Sequence, residues 1–369
     1  MFQVHTKSIR ILREWLDGIS YSTLNSRMMQ FLDQTGLLYP DFNKFMGRID
    51  RINPLYAFIF SIFRLGQPTE RSYLDGFLPS AVIDALLETG LLEQKGKYYQ
   101  MPQIGILPLG GMYFATGLPK SYPTVLRDSK YVPVNQSIPL MMDEIASQPV
   151  GDDFLEFRAD YGILANMAAA KGFKNVRILP KCPEYIPFIQ LNFALNNHQN
   201  EIITDVCCEK YDLIVCIHLS VMEKIEIKNR DIPDEKDTIQ MFSIFRQMKE
   251  TGQAILLLES AGTIDEITVN EGLKEVGGFN IQSVVLDKIQ YPPFVMANSV
   301  QSSWEKQFEL VPYEYDDYAR KTIESSESKI FVFNQLLKIN RRKEVDFVLY
   351  PFYNPKYTDP VFNYASFIV

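Results

Sequence analysis

Asp153 to Gly172 reads DFLEFRADYGILANMAAAKG. Phe154 to Phe157 is an apolar run broken only by Glu156, which predicts a buried strand. Ile163 to Lys171 is a run of small and apolar residues that predicts a buried helix. The residues between, RADYG at 158–162, must turn the chain from strand to helix. In a ligand-binding turn of this outline, glycines let the backbone approach the ligand and place it at a helix N-terminus. Here Gly162 is the single glycine, and Arg158 and Asp160 stand where such a loop wants no side chain. The stretch therefore predicts an altered ligand turn within an α/β domain.

The texture on either side agrees. From Tyr131 onward, expected strands alternate with expected helices. The strands are Val176–Leu179, Ile202–Val206, Tyr211–Ile217 and Ala254–Glu259. The helices are Glu184–Asn196, Asp237–Glu250 (stopped by Gly252) and Thr263–Val276. Repeated βα units of this length predict a mainly parallel sheet with helices on both faces. Asn280–Ile289 and Ile330–Ile339 read as closing strands, with a helical insert near Tyr313–Glu324. They predict an antiparallel pair at one edge.

The first hundred residues read as helical. Ser8–Asp17, Ser22–Thr35 and Pro54–Leu65 carry apolar residues at helical spacing. A short helix from Thr69 and another from Pro79 to Leu87 follow. Leu91–Glu93 and Tyr98–Met101 then read as a hairpin around Lys95-Gly96-Lys97. This order predicts a winged-helix-like unit. The expected divisions are 1–101 for that unit, 102–134 for a β-rich connector and 135–345 for the α/β domain. Residues 346–369 form an aromatic, proline-rich tail that packs on its own chain or covers a partner, including a second copy in a homodimer.

Composition bounds the function. Of 369 residues, 46% are hydrophobic and 22% charged, as in a globular domain. The net charge of −8 argues against a broad electrostatic grip on nucleic acid. No apolar run approaches the roughly 18 residues needed to span a bilayer, and the N-terminus MFQVHTKSIRILREW lacks a signal core. Cys182, Cys207, Cys208 and Cys216 lack CxxC spacing, so no metal is expected and free thiols in the cytoplasm are the simplest reading.

The segments YVPVNQSIPLMM, FLEFRADYGILANMAAAKG, VRILPKCPEYIPFIQLNFALNN and YDLIVCIHL, in that order and spacing, resemble class I S-adenosylmethionine-dependent methyltransferases. The resemblance is to members with an N-terminal winged-helix-like domain, and it extends over more than half the chain. It implies a Rossmann-like sheet with a cleft over the strand ends. It also implies where the cofactor would be held, and there the chain departs. The family has glycines where Arg158 and Asp160 stand; Glu156 and Gly162 are retained in kind. The family's acidic ribose ligand is replaced by Pro180, which offers no side-chain acceptor. Loss of that charged acceptor forgoes two hydrogen bonds of about 1.5–3 kcal/mol each. No cofactor is therefore expected, with S-adenosylmethionine as the alternative.

Within that frame His218, Asp160 and Glu156 are the candidate catalytic groups. Arg158, Tyr161, Gly162, Asp205 and Tyr131 are the candidates for binding a small-molecule ligand. His218, expected just after a strand at the sheet's carboxyl edge, has the chemistry of a general acid or base; its structural alternative is a bond to a neighbouring loop. Arg158 suits an anionic group, and its alternative is pairing with Asp160 or Glu156. Three readings remain open. They are a repurposed enzyme acting on a small molecule, an atypical methyltransferase, and a non-catalytic partner subunit.

Overall fold

The computed structural model describes residues 4–26, 53–64, 66–102, 104–117, 134, 138–204, 210–222, 247–262, 280–291, 330–340 and 347–350. Helix α1 (Thr6–Gly18) buries Ile9, Leu12 and Leu16 on one stripe. Helix α2 (Pro54–Ile59) is capped by the Asn53 side chain, which accepts from Tyr56 N, and continues into a π-helical turn, Phe60–Arg64. Strand β1 (Thr69–Glu70) precedes α3 (Arg71–Phe77) and α4 (Ser80–Glu88). The hairpin β2 (Glu93–Lys95) and β3 (Tyr98–Gln100) closes a three-stranded antiparallel sheet of order β1-β3-β2.

Two sequence expectations are corrected here. Thr69 and Glu70 do not begin a helix, because they pair with Tyr99 and Tyr98 and are held extended. Leu91 and Leu92 are buried anchors below the hairpin, with Leu92 N bonded to Leu86 O, so the first strand starts at Glu93.

Strands β4 (Ile104–Leu109) and β5 (Met112–Gly117) form a hairpin across Gly110 and Gly111, whose φ values of 56° and 77° suit a two-residue turn. Next come α5 (Ile138–Ser147), β6 (Asp153–Ala159), α6 (Ile163–Lys171) and β7 (Asn175–Pro180). A 3-10 turn (Pro183–Tyr185) leads into α7 (Ile186–Leu195), so Pro187 lies in the first turn of α7, where its missing N–H costs nothing. The remaining strands are β8 (Glu201–Ile202), β9 (Tyr211–Met222), β10 (Met248–Gly262), β11 (Asn280–Tyr291), β12 (Ile330–Asn340) and β13 (Phe347–Tyr350).

β6 through β13 form one eight-stranded sheet of order β13-β11-β12-β10-β9-β6-β7-β8. Only β12 runs antiparallel to its neighbours. This is the Rossmann-like α/β sheet that the resemblance implies. The chain leaves β6 toward β7 and β8, then crosses to β9 on the other side. The strand order thus reverses between β6 and β9, and open α/β sheets take ligands at the carboxyl end of such a point.

Further corrections concern strand lengths. Residues 248–250 are strand, not helix: Met248 pairs with Tyr211, and Lys249 Nζ donates to Asp153 Oδ2 (2.7 Å) and Asp212 Oδ2 (2.8 Å). Gly252 marks a register shift rather than a helix stop, since a Cβ there would meet Tyr211 O at 2.6 Å. The antiparallel pair β11–β12 is not the sheet edge, because β13 from the aromatic tail adds beyond it. At the opposite edge, β8 is the two residues Glu201–Ile202, and Ile203 and Thr204 are not strand. The helices expected at 263–276 and near 313–324 lie outside the described residues, as does the rest of the tail.

The N-terminal elements and the sheet are joined through α7. β5 pairs with β4 on one edge, and its other edge meets side chains rather than a strand. Asn196 Oδ1 accepts from Tyr113 N (2.9 Å) and its Nδ2 donates to Tyr113 O (2.8 Å). One turn earlier, Asn192 Oδ1 accepts from Ala115 N (2.7 Å), and its Nδ2 donates to Ala115 O (3.1 Å) and Tyr161 O (2.9 Å). Gly117 N donates to the Tyr161 hydroxyl (3.0 Å). Arg13 of α1 bonds Asn196 Oδ1 and Leu195 O, and its guanidinium lies 4.7 Å from the Tyr113 ring centre. Both asparagines are buried.

Asn192→Leu keeps the branched shape and the number of heavy atoms, and removes every side-chain bond. It orphans one buried N–H and two carbonyls, and the expected cost is at least about 3 kcal/mol at about 1–3 kcal/mol per group. Urea denaturation reads it; an unchanged midpoint would show that these bonds do not hold the junction.

Candidate ligand cleft

The cleft lies at the switch point. Val134, Ile138, Glu156, Phe157, Arg158, Asp160, Tyr161, Ile163 and Ile217 enclose ≈ 350 Å³, counting the space open to solvent.

Each wall has a local cause. Phe157 pairs with Leu179 and Ala159 with Pro180, so Arg158 is the extra residue of a bulge in β6. Its φ is 57°, in the left-handed region that glycine occupies without cost. The backbone thus has the conformation of a glycine turn, while the residue is arginine. Gly162 has φ 65° and caps α6; a Cβ there would meet Ile189 and Phe193 of α7 at 3.3 Å. Its conformation favours glycine, and a Cβ would press on both neighbours.

Glu156 is 5% exposed. Its Oε2 accepts from Ala165 N at 2.7 Å, so the carboxyl of β6 occupies the N-terminus of α6. Burial pushes its pKa up to about 8, against the lowering pull of the Ala165 and Leu164 N–H groups and with a raising contribution from Asp160. Asp160 Oδ1 is 3.6 Å from Lys181 Nζ, and its side chain is 11% exposed. Tyr161 is buried; its ring packs edge-on against Tyr185 and Phe188, and its hydroxyl accepts from Gly117 N.

Of the candidate residues, Glu156, Arg158, Asp160 and Tyr161 are brought together as cleft walls, and Gly162 stands directly behind them. His218 does not follow its strand as expected. β9 continues to Met222 because residues 219–222 pair with β10, and His218 falls at the register shift between Cys216 and Leu219. That irregularity adjoins Ile217, a cleft wall. Tyr131, Asp205, Cys207 and Cys208 lie outside the described residues. Cys216 is buried in the sheet, with its thiol pushed up to about 12 by burial. Among the described residues no group of three or more His, Cys, Asp or Glu could hold a metal ion.

Sequence reasoning missed Lys181 and the apolar walls Val134, Ile138 and Ile217. Ile138 and Ile217 were legible as the apolar residues of YVPVNQSIPLMM and YDLIVCIHL. Lys181 needed the pairing of Ala159 with Pro180, and the bond of Lys181 N to Ala159 O (2.9 Å), to be placed beside Asp160.

Among solved structures the chain is similar to a putative methyltransferase from Bacillus halodurans C-125 (14% identity, TM-score 0.36, 56% of this chain and 100% of that one). It is also similar to the ribosomal protein L11 methylase of Lactobacillus delbrueckii subsp. bulgaricus (16%, 0.33, 64% and 97%). A third is M. jannaschii TYW2 in complex with AdoMet (14%, 0.35, 66% and 91%). No family model and no curated protein matches the chain. At such TM-scores the fold assignment rests on the strand order and direction themselves.

Two outcomes follow from this geometry. The folded state retains the Glu156 proton above the ordinary value of 4.5, up to about 8, whereas the unfolded chain has released it. Stability therefore falls as pH rises from 4.5 toward 8, with a slope of up to about 1.4 kcal/mol per pH unit. Glu156→Gln removes that contribution, which denaturation at pH 5, 6.5 and 8 would read; an identical pH slope would contradict it. Arg158→Gly relieves the left-handed strain and Arg158→Ala does not, so the glycine variant should be the more stable of the two by about 1 kcal/mol.

Proposed function

We propose that the chain is a methyltransferase-type fold whose cleft has been rebuilt to bind and act on a small molecule, in place of ordinary S-adenosylmethionine-dependent methyl transfer. The observation that carries this reading is Arg158. Its backbone keeps the left-handed bulge of a ligand-cradling turn, and its side chain lines the cleft that such a turn would leave open. An arginine held at φ 57° costs about 1–3 kcal/mol that a glycine would not. Strain of that size is expected at a position that serves a ligand. Asp160 and His218 are the groups proposed for proton transfer, and Glu156 is a further carboxyl on the cleft floor that holds a proton near neutrality.

An atypical methyltransferase is the second reading. It is favoured by the retained cradle: Glu156 at the N-terminus of α6, Gly162 at the cap, and the left-handed turn before them. A non-catalytic partner subunit is less well supported. The motivating tail begins as β13, paired with β11 of its own sheet.

The remaining expectations stand as parts of the same proposal. The order strand, helix, helix, hairpin supports a winged-helix-like N-terminal unit. Its basic side chains are set against carboxylates: Lys95 with Glu93 (2.6 Å), Lys97 with Glu70 (2.7 Å) and Arg71 with Asp75 (2.9 Å). Those pairs favour a packing role over a grip on phosphate. Free thiols at Cys182 and Cys216 support a cytoplasmic site, and no described helix is long and apolar enough to cross a membrane.

The double variant Arg158→Gly, Pro180→Glu restores an open turn and a carboxylate acceptor. It should bind S-adenosylhomocysteine at least tenfold more tightly than the wild-type chain by calorimetry. Equal affinity in both, or tight binding by the wild-type chain, would count against a rebuilt cleft.

A further inference from the structure

The cleft is nearly closed. Apart from the space open to solvent, its walls leave room for about one water molecule. A larger ligand therefore enters only when a wall moves. Glu156 and Phe157 are on β6 and Ile217 is on β9, and both strands are paired on both sides within the sheet. The turn at 158–162 leaves that ladder at the bulge, so it can move without breaking the sheet. Tyr161 ties the turn to the connector hairpin. Its hydroxyl accepts from Gly117 N (3.0 Å), and its carbonyl accepts from Asn192 Nδ2 (2.9 Å), which also donates to Ala115 O (3.1 Å). Gly117 and Ala115 both belong to β5. From β5 the bonds continue to α1. Asn196 holds Tyr113 and accepts from Arg13, and the Tyr113 hydroxyl donates to Asp17 Oδ1 (2.9 Å).

We propose that the turn at 158–162 and the hairpin β4–β5 open as one unit, so that the connector gates the cleft. The gating role rests on the reading of the cleft as a small-molecule site. The bonds between Tyr161, Asn192 and β5 are buried. If the turn moved alone, Gly117 N would lose its acceptor and Tyr161 O its donor inside the protein. If the hairpin moved alone, the same groups would be orphaned from the other side. Unmatched buried groups are costly, so joint movement is the cheaper opening. Coupling of this kind is reciprocal: a change that loosens either partner loosens the other. Arg13, which lines no part of the cleft, then sets how readily the cleft opens, because it braces β5 through Asn196 and the Tyr113 ring.

The test is amide hydrogen exchange of the full chain, read by mass spectrometry over peptides covering 104–117, 158–171 and, as controls, 253–258 and 335–340. Two variants perturb the two ends. Tyr161→Phe removes the hydroxyl that Gly117 N meets on the cleft side. Arg13→Ala acts on the α1 side without touching the cleft. Loss of one or two bonds should speed exchange by about two- to tenfold. In each variant that rise is expected in both 104–117 and 158–171, with the control peptides of β10 and β12 unchanged. A rise confined to 104–117 in Arg13→Ala, or to 158–171 in Tyr161→Phe, overturns the proposal. So does an equal rise in all four peptides, which would report lost global stability in place of a coupled opening. Arg13→Gln, a milder change at the same place, should give the same paired response, and a rise in one peptide alone would again contradict the coupling. The experiment uses no ligand, so its failure strikes the coupled opening and leaves the small-molecule reading to ligand-binding measurements.

Discussion

The structure depends on side-chain amides doing the work of a β-strand. Asn192 and Asn196, one turn apart on α7, each offer a carbonyl and an NH₂ group to the outward-facing N–H and C=O of one residue of β5. A helix cannot pair its own backbone with a strand edge, since that backbone is already bonded internally. The two amides, spaced like alternate strand residues, solve this. Without them, the buried N–H and C=O groups of Tyr113 and Ala115 would lack partners, a costly condition in a low-dielectric interior. The spare donor of Asn192 reaches Tyr161 O, and the Tyr161 hydroxyl receives Gly117 N. The connector hairpin and the cleft turn are thereby set by the same residues.

From this junction the rest of the cleft follows. With Tyr161 fixed, Gly162 must lie against Ile189 and Phe193, where a Cβ would crowd both. With Gly162 fixed, α6 starts beside β6, and its N–H groups meet the Glu156 carboxyl. Two effects oppose each other at that carboxyl. Burial favours the neutral acid, the helix N–H groups favour the carboxylate, and burial wins. One residue beyond Phe157, the bulge puts Arg158 in a glycine conformation at the mouth of the site. The backbone thus has the left-handed conformation of a glycine turn, with an arginine standing in it.

Much of this was written in the sequence. The strand and helix of DFLEFRADYGILANMAAAKG were legible because their apolar residues are contiguous and small, and both are buried. The mixed sheet was legible from the alternation of elements. Three features were not. The strand from Met248 read as a helix end because Gly252 resembles a stop signal, whereas its glycine serves close contact with Tyr211 O. His218 read as the residue after a strand because IHL looks like an exit, while pairing with β10 prolongs β9 past it. The roles of Asn192 and Asn196 were hidden because asparagines on an apolar helix carry no local sign of their partners, which lie about eighty residues away. Lys181 was hidden for the same reason, since its nearness to Asp160 depends on strand register and not on spacing along the chain.

The proposed reading turns on Arg158, which stands in a glycine-like backbone with its side chain lining the cleft. The most direct measurement is a crystal structure of the wild-type chain grown with excess S-adenosylhomocysteine. The expected result is Arg158 with positive φ, its side chain across the turn, and no nucleoside density above Glu156 and Pro180. A nucleoside seated on the turn, with Arg158 swung out of the cleft, would contradict it.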